Sequence, residues 1–225
     1  MIGKVRFCAP VARFADLAGM SEPSARVTRS DLRPAAPVRV TVPEPVWTER
    51  LMLRRLEGRD RDAFLGLVKD NTAHLEGLFP LHEPGESDDA YFDRMLDAAA
   101  EGDARGNAWR RVALLGDGSI VGCFHLNAIT RGLAWEADAS WWIAREHTGR
   151  GLATEGVRAM LDHAFEPLPA GLGLHAVHCG ISPGNAASRR VAEKCGFRCV
   201  PDRQSYLKVG PNWVMHDFFI AEPDG

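Results

Sequence analysis

Hydrophobic and polar residues alternate with two distinct periods along this chain, and the switches between them outline its elements. Leu51 and Leu53 alternate with Met52 and Arg54 within residues 47–54, which predicts a strand. Ala63, Phe64, Leu67 and Val68 then recur at helical spacing, with Asp60 placed to cap that helix. Residues 71–87 mix Leu75, Leu78, Phe79 and Leu81 with Pro80, Pro84 and Gly85, predicting a short helix and a loop. Ser87 or Asp88 opens a further helix through Tyr91, Phe92, Met95, Leu96 and Ala99. Val112–Leu115 and Ile120–Leu126 flank Gly116-Asp117-Gly118-Ser119, a hairpin turn signal. Residues 135–143 predict the next strand and 156–165 a helix. Residues 175–181 predict a strand and 185–195 a helix, with Gly196 as its left-handed terminator. Two closing strands fall at 197–208 and 213–220. Three antiparallel strands in mid-chain give an α+β class with a mixed, mostly antiparallel sheet flanked by helices, not a doubly wound fold.

Residues 1–45 lack this rhythm. Six prolines (Pro10, Pro23, Pro34, Pro37, Pro43, Pro45) and scattered Ser and Arg predict a poorly ordered extension, with one short strand at 38–42. Met20 offers an alternative start. The folded domain is expected over residues 46–225. The full chain has 225 residues and 45% hydrophobic content, enough for one domain with a substantial core. A net charge of −3 provides no field for nucleic acid or a membrane surface. No apolar run approaches the roughly 20 residues of a membrane span, and the first ten residues lack a signal-peptide core. These features predict a cytoplasmic protein. The five cysteines lack zinc-site spacing and read as small buried hydrophobes in a reducing compartment.

The chemistry concentrates in Thr148-Gly149-Arg150-Gly151-Leu152-Ala153-Thr154, between a strand and a helix. Two glycines let successive N–H groups converge, and the following helix start adds partial positive charge. Such a concavity suits phosphate oxygens. Arg145 and Arg150 stand at its rim. The lysine and hydroxyl of a P-loop are missing, and Thr154 stands where a dinucleotide fold needs Gly or Ala. The second signal is Asn185 in N-cap position with Ser188 one turn on, leading to Lys194-Cys195-Gly196-Phe197.

Together these stretches resemble the GNAT N-acetyltransferases, specifically the RimJ/RimL-like branch. Thr48-Glu49-Arg50-Leu51-Met52-Leu53-Arg54, Trp142–Ala153 with Thr154-Glu155, Asn185-x-x-Ser188 and Gly210-x-x-Trp213-x-x-His216-Asp217 carry the likeness, which covers about residues 47–221. The family's loop usually opens with Gln or Arg, where this chain has Thr148.

The resemblance implies a GNAT fold and direct transfer of an acetyl group from acetyl-CoA to an amine, without metal. It implies that Trp142, Ile143, Thr148, Gly149, Arg150, Gly151, Leu152, Ala153, Thr154 and Asn185 hold the coenzyme. Ser188 would donate a proton to the coenzyme sulfur. Asp138 would draw the amine proton through a water, and Asp138 reads equally as an exposed or salt-bridged strand residue; Glu136 is the second choice. A backbone N–H near Trp142 or Ile143 would serve the oxyanion. Tyr206 reads as an alternative acid or a packing residue. Residues 71–92, with His74, Glu76, His82 and Glu83, would wall the acceptor. The acceptor is a protein N-terminus, an amino acid or another amine-bearing small molecule. A non-catalytic acyl-CoA sensor on the same fold is the rival reading. The closing strands offer an edge for a homodimer.

Overall fold

In the computed structural model, residues 44–79 and 81–223 are described. The expectations for the extension, its strand at 38–42 and a start at Met20 fall outside the described residues. The elements follow in chain order: β1 (Val46–Trp47), β2 (Met52–Arg54), α1 (Arg61–Leu75), α2 (Asp88–Arg105), β3 (Trp109–Leu114), β4 (Ile120–Thr130), β5 (Glu136–Ile143), α3 (Leu152–Phe165), β6 (Ala176–Ile181), α4 (Ala186–Lys194), β7 (Arg198–Val209) and β8 (Asn212–Ala221). This is the expected α+β class. Eight strands form one sheet in the order β1-β2-β3-β4-β5-β6-β8-β7. All neighbours are antiparallel except β5 and β6.

Helices cover both faces. Ala137, Ala139 and Ile143 of β5 bury against Val157, Met160 and Leu161 of α3. Trp142 and Cys123 point the other way and bury with Phe64, Val68, Tyr91 and Phe92 of α1 and α2. Gly156 lets α3 approach the sheet closely: a Cβ there would lie 2.1 Å from Phe124 Cζ.

Three local expectations need correction. Asp60 stands at the N-cap of α1, but its side chain makes no capping bond. It ends a 3₁₀ turn (Gly58–Asp60), and its carboxylate accepts the Glu57 N–H (2.8 Å) and both terminal nitrogens of Arg54 (2.6 and 2.8 Å). β3 starts at Trp109 rather than Val112, because Arg111 is buried, held by Asp103 at 3.2 Å and stacked on Trp109. Glu44 also approaches Arg111 Nε to 2.6 Å, although the Nε–H is not aimed at it. β4 runs on to Thr130 through a bulge after Asn127.

The feature that positions a site is a divergence. β5 and β6 pair at Glu136 with Ala176, Ala137 with Val177 and Asp138 with His178, and pair no further. β5 nevertheless continues to Ile143 and β6 to Ile181. The two strands therefore splay beyond Asp138, leaving one edge of β5 bare in mid-sheet.

Candidate active site

The Ala144 N–H donates to Val121 O of β4 at 2.8 Å, while Trp135 O accepts the His175 N–H at 2.6 Å. Strand alternation then turns the N–H groups of Ser140 and Trp142 toward β4 and those of Trp141 and Ile143 toward the gap. Of the two positions expected to offer an oxyanion donor, only Ile143 presents its amide there; Trp141 is the other.

The bare edge opens into a cleft of about 290 Å³. Its walls are the C-terminal end of α1 and the turn beyond it (His74, Leu75, Leu78, Phe79), the strand end Trp141–Ile143, the loop from His147 to Thr154, and the inner face of α4 (Asn185, Ser188, Val191, Lys194). Trp142, Ile143, Thr148, Gly149, Gly151, Leu152, Ala153, Thr154, Asn185 and Ser188 thus come together as expected. Arg150 does not line the cleft. It is exposed, with Nη1 3.3 Å from His147 Nδ1.

Gly149 and Gly151 adopt φ of 75° and 82°, which a side chain would strain. Gly151 is the N-cap of α3, and among the described residues no side chain caps that helix. The amides of its first turn therefore face the cleft side of the loop without partners, together with the positive end of the helix dipole. The Thr148 hydroxyl donates to Arg145 O at 2.8 Å, closing the turn rather than pointing outward. At α4, Asn185 Oδ1 accepts the Ser188 N–H at 3.0 Å, so Asn185 is a true N-cap, and among the described residues nothing accepts from its side-chain Nδ2.

Two anchors hold the loop, and sequence reading found neither. Glu155 in the first turn of α3 accepts from the Thr48 hydroxyl (2.6 Å), the Arg50 N–H (2.8 Å) and Arg50 Nε (2.7 Å). Arg50 Nη1 also donates to Arg150 O at 2.9 Å. Burial works to raise the Glu155 pKa, but these donors overcome it and the net direction is down. On the opposite side, buried Asn71 of α1 accepts the Arg145 N–H at 2.7 Å. Thr48, Arg50 and Glu155 all lie within the stretches that carry the family likeness, and that clustering was the available signal.

Asp138 stands outside the cleft lining, at the apex of the splay on the α1/α2 side. It is exposed. Partial desolvation by the surrounding sheet raises its pKa above the usual carboxylate value, and Glu136 adds to this, while His178 and Arg203 oppose it. Glu136 itself lies 3.1 Å from His178 Nε2. Tyr206 is 66% exposed on β7, away from the cleft. Of the acceptor-wall candidates, His74 reaches the cleft. His82 instead stacks on Tyr91 at 4.4 Å and meets Asp88 at 3.1 Å, helping to fix the loop before α2. Among the described residues no group of three or more His, Cys, Asp or Glu could hold a metal, and no helix is long and apolar enough to cross a membrane.

A family model described as an acetyltransferase (GNAT) domain matches residues 50–198. The chain is 33% identical over 109 residues to the probable N-acetyltransferase YjcK of Bacillus subtilis, covering 48% of this chain and 58% of that protein. It is 30% identical over 158 residues to the putative ribosomal N-acetyltransferase YdaF of the same organism, covering 66% of this chain and 78% of YdaF. Among solved structures it resembles Mycobacterium smegmatis RimJ in complex with CoA-disulfide, with a TM-score of 0.68 and 25% identity over 79% of this chain and 89% of RimJ.

Proposed function

This chain belongs to the GNAT acetyltransferases, as a RimJ/RimL-like member, and from that premise we propose that it transfers the acetyl group of acetyl-CoA directly to a primary amine. The observation that carries the reading is the continuity of the cleft. It joins an uncapped helix start, suited to a diphosphate, to the bare edge of β5, suited to an extended amide-bearing arm. The CoA complex of RimJ supports the same donor.

In this reading the amides of residues 149–154 hold the diphosphate, with Thr148 shaping the turn. Trp141, Trp142, Ile143 and the Asn185 amide nitrogen line the arm. The donor supplies an acyl carbon whose C–S bond breaks as the C–N bond forms. An N–H of Trp141 or Ile143 stabilises the oxygen that gains charge; such donors are worth about 10²–10³ in rate. Asp138 receives the amine proton through a water, and its raised pKa makes it a better base. The Ser188 hydroxyl passes its proton to the leaving sulfur and regains one from water, while the amine proton held by Asp138 returns to water, so that the proton the amine loses is the one the thiolate gains. Arg150 stays at the rim of the diphosphate site. YdaF, described as a putative ribosomal N-acetyltransferase, favours a protein among the acceptors.

Free-thiol release from acetyl-CoA over a panel of N-terminal peptides, amino acids and polyamines tests this reading, with calorimetry of coenzyme binding alongside. Release that depends on one amine class supports it. Binding without release on any amine would favour the non-catalytic sensor, and no binding would remove both readings.

A further inference from the structure

The α1/α2 face of the sheet is apolar where the helices cover it and polar beyond them. Strand register lays two polar rows side by side. Arg110, His125 and Ser140 form one, and Asn127, Asp138 and His178 the other. Arg110 Nε donates to Asn127 Oδ1 at 2.9 Å, and Asn127 Nδ2 donates to Ser140 Oγ at 3.3 Å. This relay runs from β3 to β5 and ends beside the splay. His125 is buried beneath it, its pKa pushed down to about 3 chiefly by that burial, so it adds no charge. Arg110, Asn127 and Ser140 are half-buried, and Asp138 is exposed. The floor is therefore open on its polar half.

Arg110 is unusual among the arginines of this face. Arg54, Arg61 and Arg94 each meet a carboxylate, at 2.6, 2.9 and 2.7 Å. Arg110 has a neutral amide for its partner, and among the described residues no carboxylate comes within ion-pair reach of it. Burial lowers its pKa, and the Arg94 charge adds to the effect. A half-buried guanidinium without a counter-ion is costly unless an anion completes it, and its planar fork suits a carboxylate. Strands lie roughly 4.8 Å apart, so this cation sits within one or two strand spacings of the carboxylates at the splay.

Resting on the acetyl-transfer reading above, the geometry points to an acceptor that carries a carboxylate a few bonds from its amine: Asp138 and Glu136 face the ammonium and Arg110 receives the anion. Free acidic amino acids and protein N-termini with an acidic residue at the first or second position share this chemistry. A polyamine lacks it.

The test compares matched acceptors whose α-carboxyl is blocked, so that each pair differs in one carboxylate against its carboxamide: glutamate α-amide with glutamine α-amide, aspartate α-amide with asparagine α-amide, and short peptides ending in an amide with Asp or Asn at position two, with free glutamate and aspartate assayed alongside. The wild type should favour carboxylate members by about tenfold or more in kcat/KM, the scale of one charge-assisted hydrogen bond. Arg110→Gln should raise KM for carboxylate members at least about tenfold more than for their carboxamides, and Arg110→Lys should restore part of the preference. Asn127→Asp, which gives Arg110 an internal counter-ion, should erase the preference by a second route. Acidic free amino acids outrunning the peptides would identify a metabolite acceptor; the reverse would identify a protein terminus. Spermidine as the best acceptor, equal rates within each pair, or equal losses for both members in Arg110→Gln would overturn the inference. Coenzyme binding without thiol release from any acceptor would instead overturn the acetyl-transfer reading beneath it.

Discussion

Replacing Glu155 with Gln should loosen the phosphate loop without touching the cleft. In the wild type, Glu155 Oε1 accepts the Thr48 hydroxyl and the Arg50 N–H, while Oε2 accepts the Arg50 guanidinium. A glutamine keeps the first pair, now with a neutral acceptor, at a loss of roughly 0.5 kcal/mol or more each. It places its own NH₂ against the guanidinium and loses the second pair. That pair is discounted to under about 1 kcal/mol, because Arg50 is 45% exposed although Glu155 is only 16% exposed. The total is about 1.5–2.5 kcal/mol, or roughly 4–8 °C in Tm for a chain of this size. Because Arg50 also fixes Arg150 O, the loop loses part of its organisation before binding. KM for acetyl-CoA should rise by about three- to tenfold while kcat changes little. Arg50→Ala should act in the same direction, and the double variant should show a coupling of about 1 kcal/mol in urea unfolding. Unchanged coenzyme affinity in both single variants would refute the role assigned to this anchor.

Three further outcomes follow from particular contacts. Gly156→Ala puts a methyl into the Phe124 ring and should lower stability by about 2 kcal/mol or more, with Phe124→Leu recovering part of it in thermal melts. Stability should fall on acidification between about pH 6.5 and 4.5. Burial depresses His125 and His163 to about 3 and about 4, so the unfolded chain takes up their protons first, at about 1.4 kcal/mol per pH unit for each. Asp60 and Glu155, lowered from 3.8 and 4.5, lose their contributions only at still lower pH, while the raised carboxyl of Asp138 is protonated first in the folded chain and opposes the fall toward its acidic end. His163→Phe should roughly halve the slope of urea midpoints against pH; an unaltered slope would remove the assignment. Asp138→Asn should lower kcat/KM by about 10²-fold or more and flatten the acidic limb of its pH profile, read by thiol release, with coenzyme affinity retained.

Elements built from local rules were legible in the chain. Ser87 caps α2 through the Ala90 N–H, Asn185 caps α4, Gly196 lies at φ of 85° beyond it, and the glycine turn joins β3 to β4. Elements that depend on distant partners were not. The strand expected from Val112 begins at Trp109, because Arg111 is accommodated by acids that come from α2 and from before β1. Asp60 does stand where a cap belongs, but spacing does not announce that Arg54, six residues earlier, takes its carboxylate. The same limit governs the site. Glycines, cap and serine were visible by spacing, but Glu155 meets Thr48 across 107 residues and Asn71 meets Arg145 across 74. The row from Arg110 to Ser140 exists only through register, which no single-strand pattern encodes.

The most direct test is diffraction from crystals grown with coenzyme A. The diphosphate should lie within hydrogen-bond reach of the main-chain N–H groups of residues 149–154, with the pantetheine arm running along the unpaired edge of β5 toward Ser188. Density for the diphosphate on another surface, or an arm that avoids the divergence of β5 and β6, would contradict the account.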